Sequence, residues 1–229
     1  MLASVHLADV GPRRALALVT KRESRISAPG LRHVNLALAA RLGGSLLTKP
    51  EPGRIALVAM WDDDAALDRF LADSPLASVF AGGWHARLQP LRAHGSWPGL
   101  ADDIPTSRAV QDTDPVAVLT MGRVKLSRLV PFLRASAKAE ARVVGAPGLI
   151  WSTALVRPPF VSTFSFWESA EGSTAYAYGP DDAHHDAIAA GRAKPFHHQE
   201  AFVRFRPYAI SGRLDGPNPL HDARATTQT

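Results

Sequence analysis

Cysteine is absent from the sequence, so disulfide bonds and thiolate metal ligands are excluded. A metal or redox centre would have to be held by His, Asp or Glu, or arrive with an imported cofactor. No apolar run reaches the roughly 20 residues that a membrane-spanning helix needs. Residues 1–14 also lack the pattern of a secretory signal peptide. Together these features predict a cytoplasmic protein.

Aromatic residues are scarce, at 7% of the chain, and no strand-like segment alternates them with basic residues. The net charge is +5, yet the basic residues are scattered rather than gathered into one stripe. We therefore expect no nucleic-acid partner. A mildly positive surface would equally suit peripheral contact with an anionic membrane or with an acidic cofactor.

Several catalytic fingerprints are missing. The chain has no G-x-G-x-x-G and no P-loop, which disfavours a tightly bound nicotinamide, flavin or nucleotide. It also has no G-x-S-x-G and no H-E-x-x-H, which disfavours serine hydrolases and zinc proteases. What it does have is 229 residues, of which 46% are hydrophobic, enough for one large domain or two small ones.

An internal duplication organises the chain. IALVAMWDDDAALDRF at 55–70 parallels VSTFSFWESAEGSTAY at 161–176, since each is an apolar strand that ends in tryptophan and is followed by an acidic helix start. The predicted strands are 15–20, 45–48, 55–61, 84–91, 116–120, 150–155 and 161–167. The predicted helices are 29–42, 65–72, one restarting at Pro75, 129–144, one after Trp167, and 183–192.

This order repeats strand-helix-strand-strand-helix-strand and predicts an α+β fold, with two tandem ferredoxin-like repeats packed sheet to sheet as an α+β barrel. The predicted divisions are an N-terminal half at 1–100, a linker at 101–115, a C-terminal half at 116–215, and a flexible tail at 216–229. We place the cofactor site in the C-terminal half.

The predicted helix 183–192 carries the residue of greatest chemical interest, His184. Residues three, four and seven apart share a helix face, so His184 lies above Ala187, Ile188 and Gly191. An imidazole over such a flat floor suits an axial ligand to a planar macrocycle. The other interpretation is a hydrogen-bonded structural histidine. His185 points about 100° away on the same helix.

The second half resembles the spheroidene monooxygenase-like family, haem-containing relatives of the dimeric α+β barrels. Three stretches carry the resemblance: LTMGRVKLSRLVPFL at 119–133, GAPGLIWSTALVRPPFVSTFSFWES at 145–169, and AYGPDDAHHDAIAAGRAKPFHHQEAFVRF at 177–205. The sequence departs from the family in its N-terminal strand, which lacks an aromatic-rich opening, and at Pro195, where the family has tryptophan. Those departures bear on the substrate more than on the haem.

The resemblance implies haem b, with His184 as the proximal iron ligand and Ala187, Ile188 and Gly191 beneath the ring. Arg128, Lys125 and Arg192 match basic positions that would pair with the haem propionates. The implied activity is that of a haem-dependent monooxygenase, an oxidoreductase that inserts oxygen into a hydrophobic substrate, an acyclic carotenoid in the family. An external electron donor is then needed, and a second copy of the chain is a further candidate partner.

Alternatives remain open at this point. One is a haem enzyme of another reaction on the same scaffold, such as aldoxime dehydration or chemistry at nitrogen, and another is a non-catalytic haem or small-molecule carrier. A non-haem metal held by the pairs at 184–185 and 197–198 is disfavoured, because neighbouring residues diverge on a helix. Five histidines are candidate distal groups that the sequence does not rank: His33, His85, His94, His197 and His198.

Overall fold

The computed structural model describes residues 1–20, 26–40, 42, 50–106, 114–128, 130–132, 134, 136, 143, 145–178 and 196–213. The strands are β1 Leu2–Asp9, β2 Leu31–Ala40, β3 Pro50–Trp61, β4 Trp84–Gly95, β5 Val116–Val124, β6 Leu149–Arg157, β7 Phe160–Trp167 and β8 His197–Ser211. The helices are α1 Pro12–Val19, α2 Asp64–Asp73, α3 Pro75–Phe80 and α4 Ala170–Tyr178, with a 3-10 turn at Leu126–Arg128. Residues 130–132, 134, 136 and 143 are also helical.

The eight strands close into an antiparallel barrel in the order β1-β3-β2-β6-β7-β5-β8-β4. The first half contributes β4-β1-β3-β2 and the second contributes β8-β5-β7-β6, which is the same ferredoxin-like order twice. The edges join where β4 pairs with β8 and β2 pairs with β6. The predicted α+β barrel of two ferredoxin-like repeats is therefore confirmed, and the pairing of the sheet edges completes it.

The barrel interior is filled by side chains that alternate inward along every strand. Its centre is aromatic: the Trp84 ring lies 5.7 Å from the Phe166 ring and 6.0 Å from that of Trp151, and the rings of Phe164 and Phe166 are 5.0 Å apart. Because this core is closely packed, a large ligand has to bind outside the barrel.

Helices cover the outer face of the first half. The Asp63 side chain caps α2 by accepting from the Ala66 backbone nitrogen at 2.8 Å, and Pro75 begins α3, as the sequence predicts. Leu67, Phe70 and Phe80 then pack onto β1, β2 and β3 as a second hydrophobic layer. The first-half sheet is thus buried on both faces.

Two predictions in the first half are wrong. Residues 15–20 were expected to be a strand, but they belong to α1, which begins with Pro12 at its first turn. Ala15, Leu18 and Val19 form its buried face, while Leu16 between them is 60% exposed. Buried residues at these spacings are typical of an amphipathic helix. The strand of this region is β1, which precedes α1 in the chain.

Residues 29–42 were expected to be a helix, but they contain strand β2. Val34, Leu36 and Leu38 alternate toward the outer face, and Ala37 and Ala39 point into the barrel. A strand buried on both faces has apolar residues at nearly every position, so a helical period can be read from it by chance. The strand expected at 45–48 lies outside the described residues.

The predicted linker is described only at residues 101–106 and 114–115, where it has no helix or strand. Ile104 is nevertheless buried, and the Pro105 carbonyl accepts from the Ala93 backbone nitrogen at 2.9 Å. The predicted tail at 216–229 lies outside the described residues, and the domain boundaries stay a prediction. Of the described helices, none is long and apolar enough to cross a bilayer.

Candidate functional site

The strand register aligns the two halves position by position. Trp61 pairs with Leu2 at the end of β3, and Trp167 pairs with Val116 at the end of β7. Each indole also donates to a nearby serine, Trp61 to Ser4 Oγ at 2.8 Å and Trp167 to Ser165 Oγ at 2.9 Å. The two tryptophans are therefore equivalent points from which the outer faces can be compared.

The outer face of the second half carries smaller side chains than that of the first. Counting from the two tryptophans, the second-half residue is the larger in two equivalent pairs, Ser4 and Val118, and Ala59 and Ser165. It is the smaller in the pairs Val34 and Ser152, Leu36 and Ala154, Ile55 and Val161, Leu57 and Thr163, His6 and Thr120, and Ala8 and Gly122. Leu36 and Leu57 are 2% and 1% exposed under the helices, whereas Thr163 is only partly buried. The second half thus presents a broad shelf of small residues, which we call the shelf: Thr120, Gly122, Ser152, Ala154 and Thr163.

Among the described residues, helix α4 packs at one end of the outer face that carries the shelf. It packs beside Trp167, whose ring lies 5.2 Å from that of Tyr176, and Thr174 Oγ1 accepts from Arg204 Nη2 at 2.8 Å. At the opposite end Phe202, which pairs with Thr120 across β5 and β8, is 45% exposed. The exposed Phe202 ring therefore lies beside the small residues of the shelf, at the end away from α4.

His197 lies over the shelf at Gly122. A Cβ atom built at Gly122 would be 2.6 Å from the His197 ring, so the ring needs the glycine beneath it. His197 Nδ1 is 2.9 Å from Glu200 Oε2, and the histidine side chain is 17% exposed. A carboxylate beside Nδ1 fixes the orientation of the ring.

Sequence reasoning left His197 as one of five unranked histidines. The signal that singles it out is the pairing of β8 with β5, which brings it above a glycine. That contact joins residues 75 positions apart, since it links His197 to Gly122.

Arg128 and Lys125 lie at the same end as His197. The Lys125 backbone nitrogen donates to the Phe196 carbonyl at 2.8 Å, and the Arg128 guanidinium carbon is 5.6 Å from the centre of the Phe196 ring. Arg128 Nε is buried without a hydrogen-bond partner. A buried guanidinium nitrogen of this kind favours an anionic ligand group beside it.

The other predicted cofactor residues, His184, Ala187, Ile188, Gly191 and Arg192, lie outside the described residues. Their roles stay predictions. Within the described ranges, no group of three or more His, Asp or Glu side chains is arranged to hold a metal ion.

The remaining distal candidates are dispersed. His33 Nε2 is 3.1 Å from Asn35 Oδ1 in the first half, and His198 is exposed. His94 is exposed on β4 opposite Phe202, at the margin of the shelf. His85 belongs to a separate cluster in the first half.

That first-half cluster is a buried chain of hydrogen bonds. His6 Nδ1 is 2.8 Å from His85 Nδ1, and His6 Nε2 is 2.9 Å from Ser4 Oγ, which also accepts from the Trp61 indole. Burial, followed by the charges of His85 and Arg87, lowers the pKa of His6 to about 3. Burial also lowers the pKa of His85. Both lowered pKa values favour neutral rings at pH 7, and one of the two facing Nδ1 atoms donates its proton to the other.

A small pocket of about 210 Å³ opens beside this cluster. It is lined by His6, Leu67, Leu71, Ala77, Ala81, His85, Ala86, Arg87, Ala209 and Ser211. It is smaller than the roughly 300 Å³ at which pockets for drug-sized ligands begin. Arg87 at its edge is already paired with Asp64 and Asp68. The pocket therefore has neither the room nor the unpaired charge for a large anionic cofactor.

Comparison with known proteins identifies relatives. No protein-family model matches the chain. The chain is 28% identical over 188 residues to the spheroidene monooxygenase of Cereibacter sphaeroides, covering 79% of this chain and 57% of that protein. It is 29% identical over 220 residues to the spheroidene monooxygenase of Rubrivivax gelatinosus, covering 92% of this chain and 83% of that protein.

These relatives confirm the resemblance that the second-half motifs predict. Both relatives are named as monooxygenases, which is the class of oxidoreductase that the sequence predicts. The chain spans little more than half of the length of the Cereibacter sphaeroides relative.

Among solved structures, an aldoxime dehydratase in complex with butyraldoxime superposes with a TM-score of 0.51. It is 10% identical to this chain, and the match covers 90% of this chain and 79% of that one. At this identity the similarity supports the fold and nothing about the reaction.

Proposed function

We propose that the protein is a haem-dependent monooxygenase that acts on a hydrophobic substrate and binds haem b on the shelf of the second half. The observation that carries the proposal is the difference between the two outer faces. Leu36 and Leu57 close the first-half face, and Ala154 and Thr163 occupy the equivalent positions in the second half. A flat macrocycle needs a wide floor of small side chains.

The residues present fit such a group. Arg128 has a buried nitrogen that a haem propionate would satisfy, and Lys125 lies in the same turn. The first-half pocket, by contrast, is small and its arginine is paired. The shelf is therefore the better of the two sites.

In this proposal His184 would hold the haem iron. A bound haem supplies reductive activation of dioxygen, with electrons from an external donor. His197, held by Glu200, takes up or releases a proton at Nε2 on the shelf side of the barrel. Phe132, Phe196 and Phe202 provide the apolar surface that would bind a hydrophobic substrate and exclude water.

The decisive experiment gives the second half the side chains of the first. Ala154→Leu and Thr163→Leu, separately and together, should lower the ratio of haem Soret absorbance to protein absorbance after equal haem supply, because each leucine raises the floor. Ala175→Leu, at an exposed position of α4, is the matched control. Circular dichroism checks folding. Full haem occupancy in a folded double variant would rule out the shelf.

A second pair of variants tests the ligand. His184→Ala should reduce haem occupancy sharply, because it removes the covalent anchor to iron, whereas His185→Ala should have little effect. Equal losses in both variants, or unchanged axial spectroscopy in His184→Ala, would contradict the assignment.

The proposed substrate class is a long apolar molecule such as an acyclic carotenoid, in line with the names of the two relatives. With a chemical or enzymatic reductant, the haem-loaded protein should transfer one labelled oxygen atom from ¹⁸O₂ to the carotenoid, as mass spectrometry would show. Unlabelled product, or turnover without a reductant, would instead indicate another reaction on the same scaffold.

A further inference from the structure

Two large aliphatic side chains stand in solvent directly after strand β5. Leu126 is 72% exposed and Val130 is 58% exposed, placing them among the most exposed large hydrophobic residues of the described chain. They are four positions apart around a helical turn, so they are neighbours on one surface. A single exposed leucine needs no explanation, but an adjacent pair indicates a contact surface.

Along the sequence, the charged residues that flank this pair are all basic. Between Asp114 and Glu140 the sequence contains no acidic residue, and its basic residues are Arg123, Lys125, Arg128, Arg134 and Lys138. Arg134 is exposed, and Lys125 and Arg128 are partly exposed. We call the surface formed by Lys125, Leu126, Arg128, Val130 and Arg134 the docking patch.

The docking patch adjoins the end of the barrel that carries His197. Phe132 follows Val130 by two residues, and its ring lies 5.1 Å from the His197 ring. The Lys125 backbone nitrogen is bonded to the Phe196 carbonyl, which ties the start of the patch to the start of β8. The patch is therefore at the rim of the shelf, away from α4.

We propose that the docking patch binds the surface of an anionic lipid bilayer. Exposed aliphatic side chains can insert between the lipid headgroups and the acyl chains. Basic residues beside them attract the acidic headgroups, so the two together favour binding to an anionic bilayer. A nucleic-acid surface would favour the same charges but not exposed Leu126 and Val130. Where the proposed function holds, docking here would bring the rim of the shelf to the lipid phase in which a hydrophobic substrate dissolves.

The test is co-sedimentation of the full chain with lipid vesicles, made either of phosphatidylcholine alone or with added phosphatidylglycerol. The protein should bind the anionic vesicles and not the neutral ones, and binding should weaken as salt rises. The double variant Leu126→Gln, Val130→Gln should lose at least about tenfold in vesicle affinity, because both apolar anchors are removed. Arg134→Glu should also weaken binding.

Leu16→Gln is the matched control, because Leu16 is 60% exposed on α1 and follows two arginines, yet lies in the first half. Its vesicle affinity should equal that of the unmodified protein. An equal loss in Leu16→Gln, equal binding to neutral vesicles, or no binding at all would each overturn the proposal. Running the assay on haem-free protein separates it from the proposed function, because no haem propionate then engages Lys125 or Arg128.

Discussion

The two halves share a strand order but use their outer faces differently. In the first half, Leu36, Ile55 and Leu57 fill the space between sheet and helices, and all three are at most 2% exposed. In the second half the equivalent residues are Ala154, Val161 and Thr163. A duplicated fold can thus keep one copy as a packed support, while the other gives up packing volume to a ligand.

Their histidines differ in the same sense. His6 is buried and His85 is partly buried, and they form a pair in which His6 also bonds Ser4 Oγ. His197 instead lies at the start of strand β8, with a carboxylate beside Nδ1 and its ring over Gly122. The first arrangement stabilises the fold, and the second suits proton transfer.

The largest expected effect is on packing in the first half. Leu57→Ala should lower the free energy of unfolding by about 2–5 kcal/mol, because it removes a fully buried side chain and leaves a cavity. Urea denaturation monitored by circular dichroism measures the change.

Thr163→Ala is the equivalent change in the second half, and it should cost less than about 1 kcal/mol, because Thr163 is only partly buried. Similar losses in the two variants would mean that the outer faces are packed alike, and the contrast between the halves would be lost.

The second prediction concerns pH. The pKa of His6 is about 3 in the folded protein, and an unfolded histidine titrates near 6.5, so between these values only the unfolded chain takes up the proton. The stabilisation from neutral His6 is complete above about pH 6.5 and is lost as the pH falls. Unfolding free energy should therefore drop by about 1.4 kcal/mol per pH unit between pH 6 and 4.

His6→Gln is the control, because glutamine retains polar atoms but has no group that titrates in this range. Its unfolding free energy should fall less steeply over the same interval, with the residual slope coming from His85 and other groups. Identical slopes in the two proteins would show that His6 is already protonated in the folded state.

Much of this fold follows from the sequence because the repeat is visible in it. The strand that ends in Trp61 is followed by an acidic helix start that includes the Asp63 cap, and the strand that ends in Trp167 is followed by a similar one. This repeat predicts a duplicated ferredoxin-like barrel. The errors at α1 and β2 arise where local pattern is ambiguous. Residues 36–40 of strand β2 are apolar on both faces of the sheet. Both faces are buried because the barrel closes and helices cover it, and neither contact can be read from the sequence of this segment alone.

The candidate site is harder to predict for a physical reason. The shelf becomes apparent only when Ala154 and Thr163 are aligned with Leu36 and Leu57 through strand pairing. The position of His197 over Gly122 is also a long-range contact. The family resemblance identified Arg128 and Lys125 as candidates, but the buried Arg128 nitrogen depends on the tertiary structure.

The smallest expected difference between the halves is that between the two equivalent tryptophans. Trp61→Phe removes the indole donor to Ser4 Oγ, an atom that also contacts His6, so a buried network is broken. Trp167→Phe removes only the donor to Ser165 Oγ. Each loss should lower the free energy of unfolding by about 1–3 kcal/mol, and the loss at Trp61 should be larger by about 1 kcal/mol. Thermal unfolding of the single and double variants measures both. A larger loss at Trp167 would mean that the second half depends on its tryptophan more than the first, which would reverse the assignment of the first half as the packed support.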